Sequence, residues 1–211
     1  MPEGYTVLVS LPTGGGKSLI TQTIAYQKKD GLTITVVPTV SLAMDQVRVA
    51  KDNIKVAMES EIACYYSDLS KEEKRSIIDR IKNRKLRLLF ISPEALIKNE
   101  VFKQVIDVAN DSGYLKNIII DEAHIVIEWG NFFRVDYQCL EPWRNNLYEK
   151  NSKLKTVLLS ATYEKNTVKI LQSMFATGDK WIEIRCDALR REPRFAVSYT
   201  HLRAHETAAN L

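Results

Sequence analysis

The sequence has few of the features that mark secreted or membrane-spanning proteins. Three cysteines occur in 211 residues (Cys64, Cys139 and Cys186), far apart and in no Cys-x-x-Cys pair, so neither a disulfide framework nor a zinc site is expected. No apolar run approaches the roughly 20 residues that span a bilayer. No basic leader precedes an apolar stretch at the amino terminus. We therefore expect a cytoplasmic protein with no membrane partner.

The composition also lacks strong bias. Hydrophobic residues make up 45% of the chain and charged residues 27%, which excludes collagen-like, disordered and low-complexity classes. The net charge of +4 is compatible with a nucleic-acid partner without arguing strongly for one. Basic residues do cluster locally, with eight Lys or Arg against three acids in residues 71–87 and four arginines in residues 185–194. A solvated helix face or connector is the simplest interpretation of each cluster.

Residues 197–211 break every pattern that precedes them. The stretch VSYTHLRAHET has no periodicity and holds two of the three histidines in the chain. It resembles the translation of a sequencing-library adapter, and the alternative is a genuine unstructured tail. In either case this segment is left out of the fold prediction.

The rest of the chain alternates between short apolar runs and longer amphipathic ones. This order predicts an α/β fold with a parallel β-sheet and helices on both faces. The predicted strands are 5–11, 32–37, 62–66, 86–91, 117–120 and 155–159. The predicted helices are 17–29, 41–53, 71–84 and 94–110, the last with a buried face formed by Ile97, Val101, Val105 and Val108.

Polar or small residues follow five of the predicted strands. The five sequences are PTGGGKS, PTVS, SPEA, DEAH and SAT, in chain order. The carboxyl ends of parallel strands lie along one edge of the sheet, where ligands bind in open α/β folds. The sequence therefore predicts one composite site at this edge.

The first of these sequences has the pattern of a phosphate-binding loop, since it follows a strand and opens a helix. Consecutive glycines let the main chain approach a triphosphate closely, and the helix adds its positive dipole end. Lys17 is predicted to contact the β- and γ-phosphates of ATP and Ser18 to hold Mg²⁺. The predicted nucleotide-binding residues are Thr13, Gly14, Gly15, Gly16, Lys17 and Ser18.

The acids Asp121 and Glu122 end a buried strand, where two adjacent carboxylates are costly unless they meet a cation. Asp121 is predicted to bind Mg²⁺, and Glu122 to orient and deprotonate the attacking water. The alternative is a helix-capping acid pair. His124 is predicted to couple this loop to the γ-phosphate, and the alternative is a packing residue.

The sequence Ser160-Ala161-Thr162 ends the next strand with two hydroxyls. By itself it is a helix N-cap signal. Its place on the same edge predicts that Ser160 and Thr162 form a hydrogen-bonded relay to the acidic loop.

Taken in order, LPTGGGKSL, VVPTVSLAMDQV, ISPEAL, DEAH and LSAT resemble motifs I, Ia, Ib, II and III of superfamily 2 helicases. Leu11 stands where the general phosphate-loop pattern has Gly, which is closer to the helicase variant of the loop. The stretch DEAHIVIEWGNFFRVDY resembles the aromatic-rich loop of RecQ-like DNA helicases. Trp129, Gly130, Phe133, Arg134 and Tyr137 match that loop, although Asn131 and Phe132 depart from it.

The RecQ resemblance implies several further properties. In that family the loop senses single-stranded DNA, so Trp129, Phe133 and Arg134 are candidate DNA contacts, and exposed aromatics suit base stacking. Burial of Trp129 and the two Phe side chains in the core is the alternative. Residues 1–196 are expected to form the first RecA-like, P-loop ATP-binding domain, truncated at both ends. The second motor domain, which supplies an arginine finger in the family, is expected to lie outside this sequence.

The resemblance implies the ATP-binding half of an ATP-dependent DNA helicase that acts on single-stranded and duplex DNA. Two other functions remain open. One is a different superfamily 2 motor, such as an RNA helicase or a restriction-system translocase. The other is a non-catalytic nucleotide-binding fragment.

Overall fold

A parallel β-sheet of seven strands forms the centre of the protein. The computed structural model describes residues 1–27, 30–54, 59–127 and 135–186. Within them the strand order is β3-β4-β2-β5-β6-β1-β7, and every neighbouring pair is parallel. The strands are β1 (Thr6–Ser10), β2 (Leu32–Val36), β3 (Ile62–Tyr65), β4 (Leu88–Ile91), β5 (Leu115–Ile120), β6 (Lys155–Ser160) and β7 (Trp181–Arg185).

Eight α-helices connect or follow these strands in the described part of the chain. They are α1 (Lys17–Tyr26), α2 (Val40–Asn53), α3 (Lys71–Lys82), α4 (Pro93–Ile97), α5 (Glu100–Asp111), α6 (Val135–Gln138), α7 (Leu140–Lys150) and α8 (Lys165–Phe175). None of the helices in these residues is long and apolar enough to cross a membrane.

Alternating strand residues pack against helices on opposite faces of the sheet. Val7 and Val9 of β1 lie in a buried cluster that Ile20 and Ile24 of α1 cover. Leu8, between them, belongs to the large core cluster on the other face, which also holds buried residues of α3, α5, α7 and α8. The predicted α/β fold, with a parallel sheet covered on both faces, is confirmed.

The helix predicted for residues 94–110 is wrong, because two helices occupy this segment. The main chain breaks at residues 98–99, and the Asn99 side chain caps the second helix by accepting a hydrogen bond from the Phe102 N–H at 3.0 Å. The buried face of α5 includes Val105 as predicted, but it is otherwise formed by different residues. Val101 and Val108 are 62% and 67% exposed, whereas Phe102 and Ile106 are fully buried.

Strand β7 was not predicted from the sequence. It pairs with β1 at one end of the sheet, and the Cys186 N–H donates to the Ser10 carbonyl just beyond it at 2.9 Å. Its residues are half-buried or exposed and include Glu183 and Arg185. A polar edge strand of this kind lacks the apolar run that marks a buried strand. Its pairing partner is also distant in the chain, since Trp181 pairs with Thr6, 175 positions away.

Candidate nucleotide-binding site

The loop between β1 and α1 needs its glycines for two different reasons. Gly14 and Gly16 have φ angles of 81° and 89°, which favour glycine. At Gly15 a Cβ atom would lie 2.8 Å from the Pro12 carbonyl, which accepts a hydrogen bond from the Gly15 N–H. Thr13, Gly14 and Gly15 are exposed, so the loop is open to a ligand. Helix α1 starts at Lys17, directly after the loop, and its first turn carries unpaired N–H groups.

Lys17 connects this loop to the acidic loop after β5. Its Nζ donates to Glu122 Oε1 at 2.9 Å, and the two side chains are 15% and 27% exposed. The two residues are 105 positions apart in the chain. Ser18 follows in the first turn of α1 and is half-buried. The sheet order explains the meeting, because the carboxyl ends of β5, β6 and β1 are neighbours.

The acid pair is held in an unusual conformation. Asp121 is 9% exposed, and its Oδ1 accepts a hydrogen bond from the Glu122 N–H at 3.0 Å. Glu122 has a φ of 49°, a left-handed conformation that is uncommon outside glycine. Burial, and then the charge of Glu122, raise the pKa of the Asp121 carboxyl, while Lys17 opposes the shift. The site therefore holds a buried carboxylate that a bound cation would stabilise.

His124 and Ser160 extend the cluster to the loop after β6. His124 Nδ1 lies 2.8 Å from Ser160 Oγ and 3.3 Å from Glu122 Oε2. Ser160 Oγ also lies 3.5 Å from Glu122 Oε2. Thr162 is exposed and contacts Ser160 through its main chain, with its N–H 3.3 Å and its carbonyl 3.0 Å from Ser160 Oγ. Thus the structure brings Ser160 against the acid loop and places Thr162 beside it.

The oxygen atoms at this edge suit a Mg²⁺ ion that also binds a nucleotide. They do not suit a metal ion whose ligands all come from the protein. Among the described residues, no group of three or more His, Cys, Asp or Glu side chains could hold a metal ion. Mg²⁺ commonly uses one or two carboxylates together with substrate phosphates and water. The Asp121 carboxylate and the Ser18 hydroxyl fit that requirement, with the nucleotide supplying the remaining ligands.

Two tyrosines beside the acid pair were not identified as site residues from the sequence. Tyr137, grouped there with the aromatic-rich loop, is fully buried, and its hydroxyl donates to the Asp121 carbonyl at 3.3 Å. It therefore supports the acidic loop and is not a surface for base stacking. The Tyr163 hydroxyl is buried with no hydrogen-bond partner among the described residues. Burial and the charges of Glu122 and Asp121 raise the pKa of Tyr163. Its position directly after Ser160-Ala161-Thr162 was the available signal.

The three candidate DNA contacts, Trp129, Phe133 and Arg134, lie outside the described residues, as do residues 197–211. Their assignments stay predictions.

Comparison with known proteins identifies the family. The DEAD/DEAH box helicase model matches residues 1–170. The ATP-dependent DNA helicase RecQ of Synechocystis sp. is 32% identical over 165 residues, which cover 78% of this chain and 32% of that protein. The ATP-dependent helicase SGS1 of Saccharomyces cerevisiae is 39% identical over 143 residues, covering 66% of this chain and 10% of that protein. The chain thus spans a third or less of these relatives.

Solved structures agree at the level of the fold. The DUF1998 helicase MrfA has a TM-score of 0.66 at 18% identity, covering 86% of this chain and 28% of that one. The Pyrococcus furiosus Hef helicase domain has a TM-score of 0.57 at 19% identity, covering 88% of this chain and 36% of that one. The predicted RecA-like fold and the resemblance to RecQ helicases are both confirmed. Because the family model covers most of its length, the chain belongs to the DEAD/DEAH box helicase family.

Proposed function

We propose that this chain is the ATP-binding motor half of an ATP-dependent DNA helicase, which couples ATP hydrolysis to movement along single-stranded DNA and to duplex unwinding. The contact between Lys17 Nζ and Glu122 Oε1 carries the proposal, because it joins the phosphate-binding loop to the acidic loop. The relative named ATP-dependent DNA helicase RecQ supports the choice of nucleotide and of nucleic acid, and the relative named ATP-dependent helicase SGS1 supports the choice of nucleotide.

The Lys17–Glu122 ion pair suggests how nucleotide binding prepares hydrolysis. A triphosphate carries more negative charge than one carboxylate, so bound ATP draws the Lys17 ammonium to its β- and γ-phosphates. Glu122 then loses its ion pair with the Lys17 ammonium, which otherwise lies 2.9 Å away. Its carboxylate becomes available to accept a proton from the attacking water. In the absence of nucleotide, the ion pair keeps this base occupied.

Asp121 and Ser18 are the proposed Mg²⁺ ligands, and Mg²⁺ would neutralise charge on the phosphate oxygens. His124 and Ser160 contact Glu122 from the other side, so a change at either of them alters the position of the base. Trp129, Phe133 and Arg134 are the proposed contacts to single-stranded DNA. The parent protein is proposed to supply the second RecA-like domain and its arginine finger, with residues 1–196 forming the first.

The first experiment measures the binding of a fluorescent ATP analogue to this chain in the presence of Mg²⁺. Lys17→Ala should weaken binding at least about tenfold, since it removes the charge that meets the phosphates. Glu122→Gln is the matched control, because it removes a charge from the same ion pair but should leave binding equal or tighter. Equal weakening by both variants would mean that the ion pair only maintains the loop structure.

The second experiment measures ATP turnover by the parent protein with its second motor domain. Glu122→Gln should lower turnover by about 10² or more. A non-catalytic nucleotide-binding protein would show no ATP turnover with either residue at this position. Trp129→Ala should abolish stimulation by single-stranded DNA while the basal rate stays unchanged. Stimulation by RNA that exceeds stimulation by DNA would favour the RNA helicase alternative. Robust DNA-stimulated turnover by the present chain alone would contradict its assignment as half of a motor.

A further inference from the structure

A second concave surface lies at the opposite edge of the sheet from Lys17 and Asp121. Gly31, Glu61, Arg87 and Tyr114 each directly precede one of four neighbouring strands, and all four line a cavity of about 700 Å³. Parallel strands of four to six residues separate the two edges by about 13–20 Å. This amino-edge cavity is therefore distinct from the candidate nucleotide-binding site.

The lining of the amino-edge cavity is mainly basic. Arg84, Lys85, Arg87 and Lys116 line it, against two carboxylates. One of these, Glu61, accepts a hydrogen bond from the Tyr26 hydroxyl at 3.3 Å. Three of the four cations, Arg84, Lys85 and Lys116, are exposed. The cavity therefore presents an excess of positive charge to the solvent.

The backbone at Arg84 favours a functional role for this charge. Arg84 follows the C-cap of α3 with a φ of 54°, at a position where glycine is usual because it adopts this conformation without strain. An arginine there is strained, because its Cβ lies close to the following carbonyl oxygen in this conformation. Its guanidinium lies 5.7 Å from the centre of the Tyr114 ring, a cation–π contact that restrains it beside the cavity. Strain retained at a surface cation is typical of ligand-binding positions.

The basic surface continues along α3. An adjoining cavity of about 450 Å³ shares Lys85 and adds Arg75 and Arg80, against two carboxylates, so its lining keeps a smaller excess of positive charge. Together they account for much of the basic cluster in residues 71–87 that the nucleotide site does not use. An extended run of cations matches a ligand with repeated negative charges better than a single small anion.

We propose that the amino-edge cavity and the adjoining face of α3 bind the phosphodiester backbone of a nucleic-acid strand. The contacts are to phosphates and independent of base sequence, because the Tyr114 ring is only 5% exposed and offers no platform for base stacking. This binding is independent of the proposed function, since it requires neither ATP nor its hydrolysis.

The test uses this chain and a fluorescein-labelled oligothymidylate, with affinity measured by fluorescence anisotropy as salt is raised from about 50 to 200 mM. The variant combines Arg84→Gln with Lys116→Gln. It should bind about tenfold more weakly at the lowest salt, and its log–log salt slope should fall by about 1.4, the value for two lost phosphate contacts. The control combines Lys51→Gln with Lys169→Gln, which removes the same charge from exposed positions on α2 and α8. This control variant should bind the oligothymidylate nearly as tightly as the unmodified chain does.

Lysine footprinting supplies a second measurement that reports on location. The oligonucleotide should slow acetylation of Lys85 and Lys116, read by mass spectrometry, and leave Lys51 and Lys169 unaffected. Adding Trp129→Ala to the cavity variant should not change the loss that the cavity substitutions cause, since the two regions act independently. Unchanged affinity in the cavity variant, or equal protection of Lys116 by poly-glutamate, would overturn the proposal.

Discussion

Arg144 provides a test of how charge and packing balance in the core of this domain. It lies on α7 and is 1% exposed. Its Nε donates to Thr156 Oγ1 at 2.7 Å and its Nη2 to Thr6 Oγ1 at 2.9 Å, so it ties α7 to a pair of facing residues near the starts of β1 and β6. Burial lowers the pKa of Arg144 to about 10, which leaves it charged at neutral pH. No carboxylate contacts the guanidinium in the salt bridges of the described residues.

The expected magnitudes follow from opposing contributions to the free energy of unfolding. Each hydrogen bond from the charged group contributes about 1.5–3 kcal/mol, while burial of the charge costs several kcal/mol. Arg144→Met removes both effects and keeps most of the packing, so we expect a change within about 1 kcal/mol. Arg144→Ala also loses the packing and should cost about 3 kcal/mol. Arg144→Lys keeps the buried charge but loses the fork of donors, and should cost about 2–3 kcal/mol.

Urea unfolding followed by far-UV circular dichroism measures these differences at a constant m-value. The informative result is the order of the three variants, with Met the least destabilising. If Arg144→Met costs as much as Arg144→Ala, the hydrogen bonds outweigh the cost of burying the charge. That result would refute the expected balance between hydrogen bonding and charge burial at Arg144.

Two further predictions concern the acid pair and its neighbour. Asp121→Asn should raise the melting temperature of the nucleotide-free chain while abolishing ATP turnover in the parent protein, because the ionised carboxylate is less stable in the folded than in the unfolded chain. Since the folded pKa of Asp121 is raised, this advantage should be largest at neutral pH, shrink as the pH falls through the folded pKa, and disappear only well below about 3.9, the ordinary pKa of Asp, where the carboxyl is neutral in both states. A pH-independent difference in calorimetry would contradict the assignment. Tyr163→Phe should stabilise the chain by about 1 kcal/mol in urea unfolding, because it removes a buried hydroxyl without a partner; a loss of stability instead would mean that this hydroxyl is satisfied in solution.

The sequence singled out residues that meet at the sheet edge more reliably than it predicted the helices around them. Lys17, Asp121 and Glu122 were recognised because glycines before a lysine and acids at a strand end have few structural explanations. The periodicity of residues 94–110 was misleading, because Ile97 lies on α4 and the other three residues on α5, where Val105 is buried but Val101 and Val108 flank the buried face. The cap at Asn99 decides that break, and apolar spacing does not report it.

The sequence by itself determined six of the seven strands, the glycine-rich loop that opens α1 and the chemical groups available at the sheet edge. Those properties depend on local backbone preference and side-chain type. Only the tertiary structure decided that β5, β6 and β1 are neighbours, so that Lys17 meets Glu122 and Ser160 meets His124. It alone also placed Arg84, Arg87 and Lys116 around one cavity. Such contacts join residues up to more than a hundred positions apart, and they depend on strand order, which no local pattern encodes.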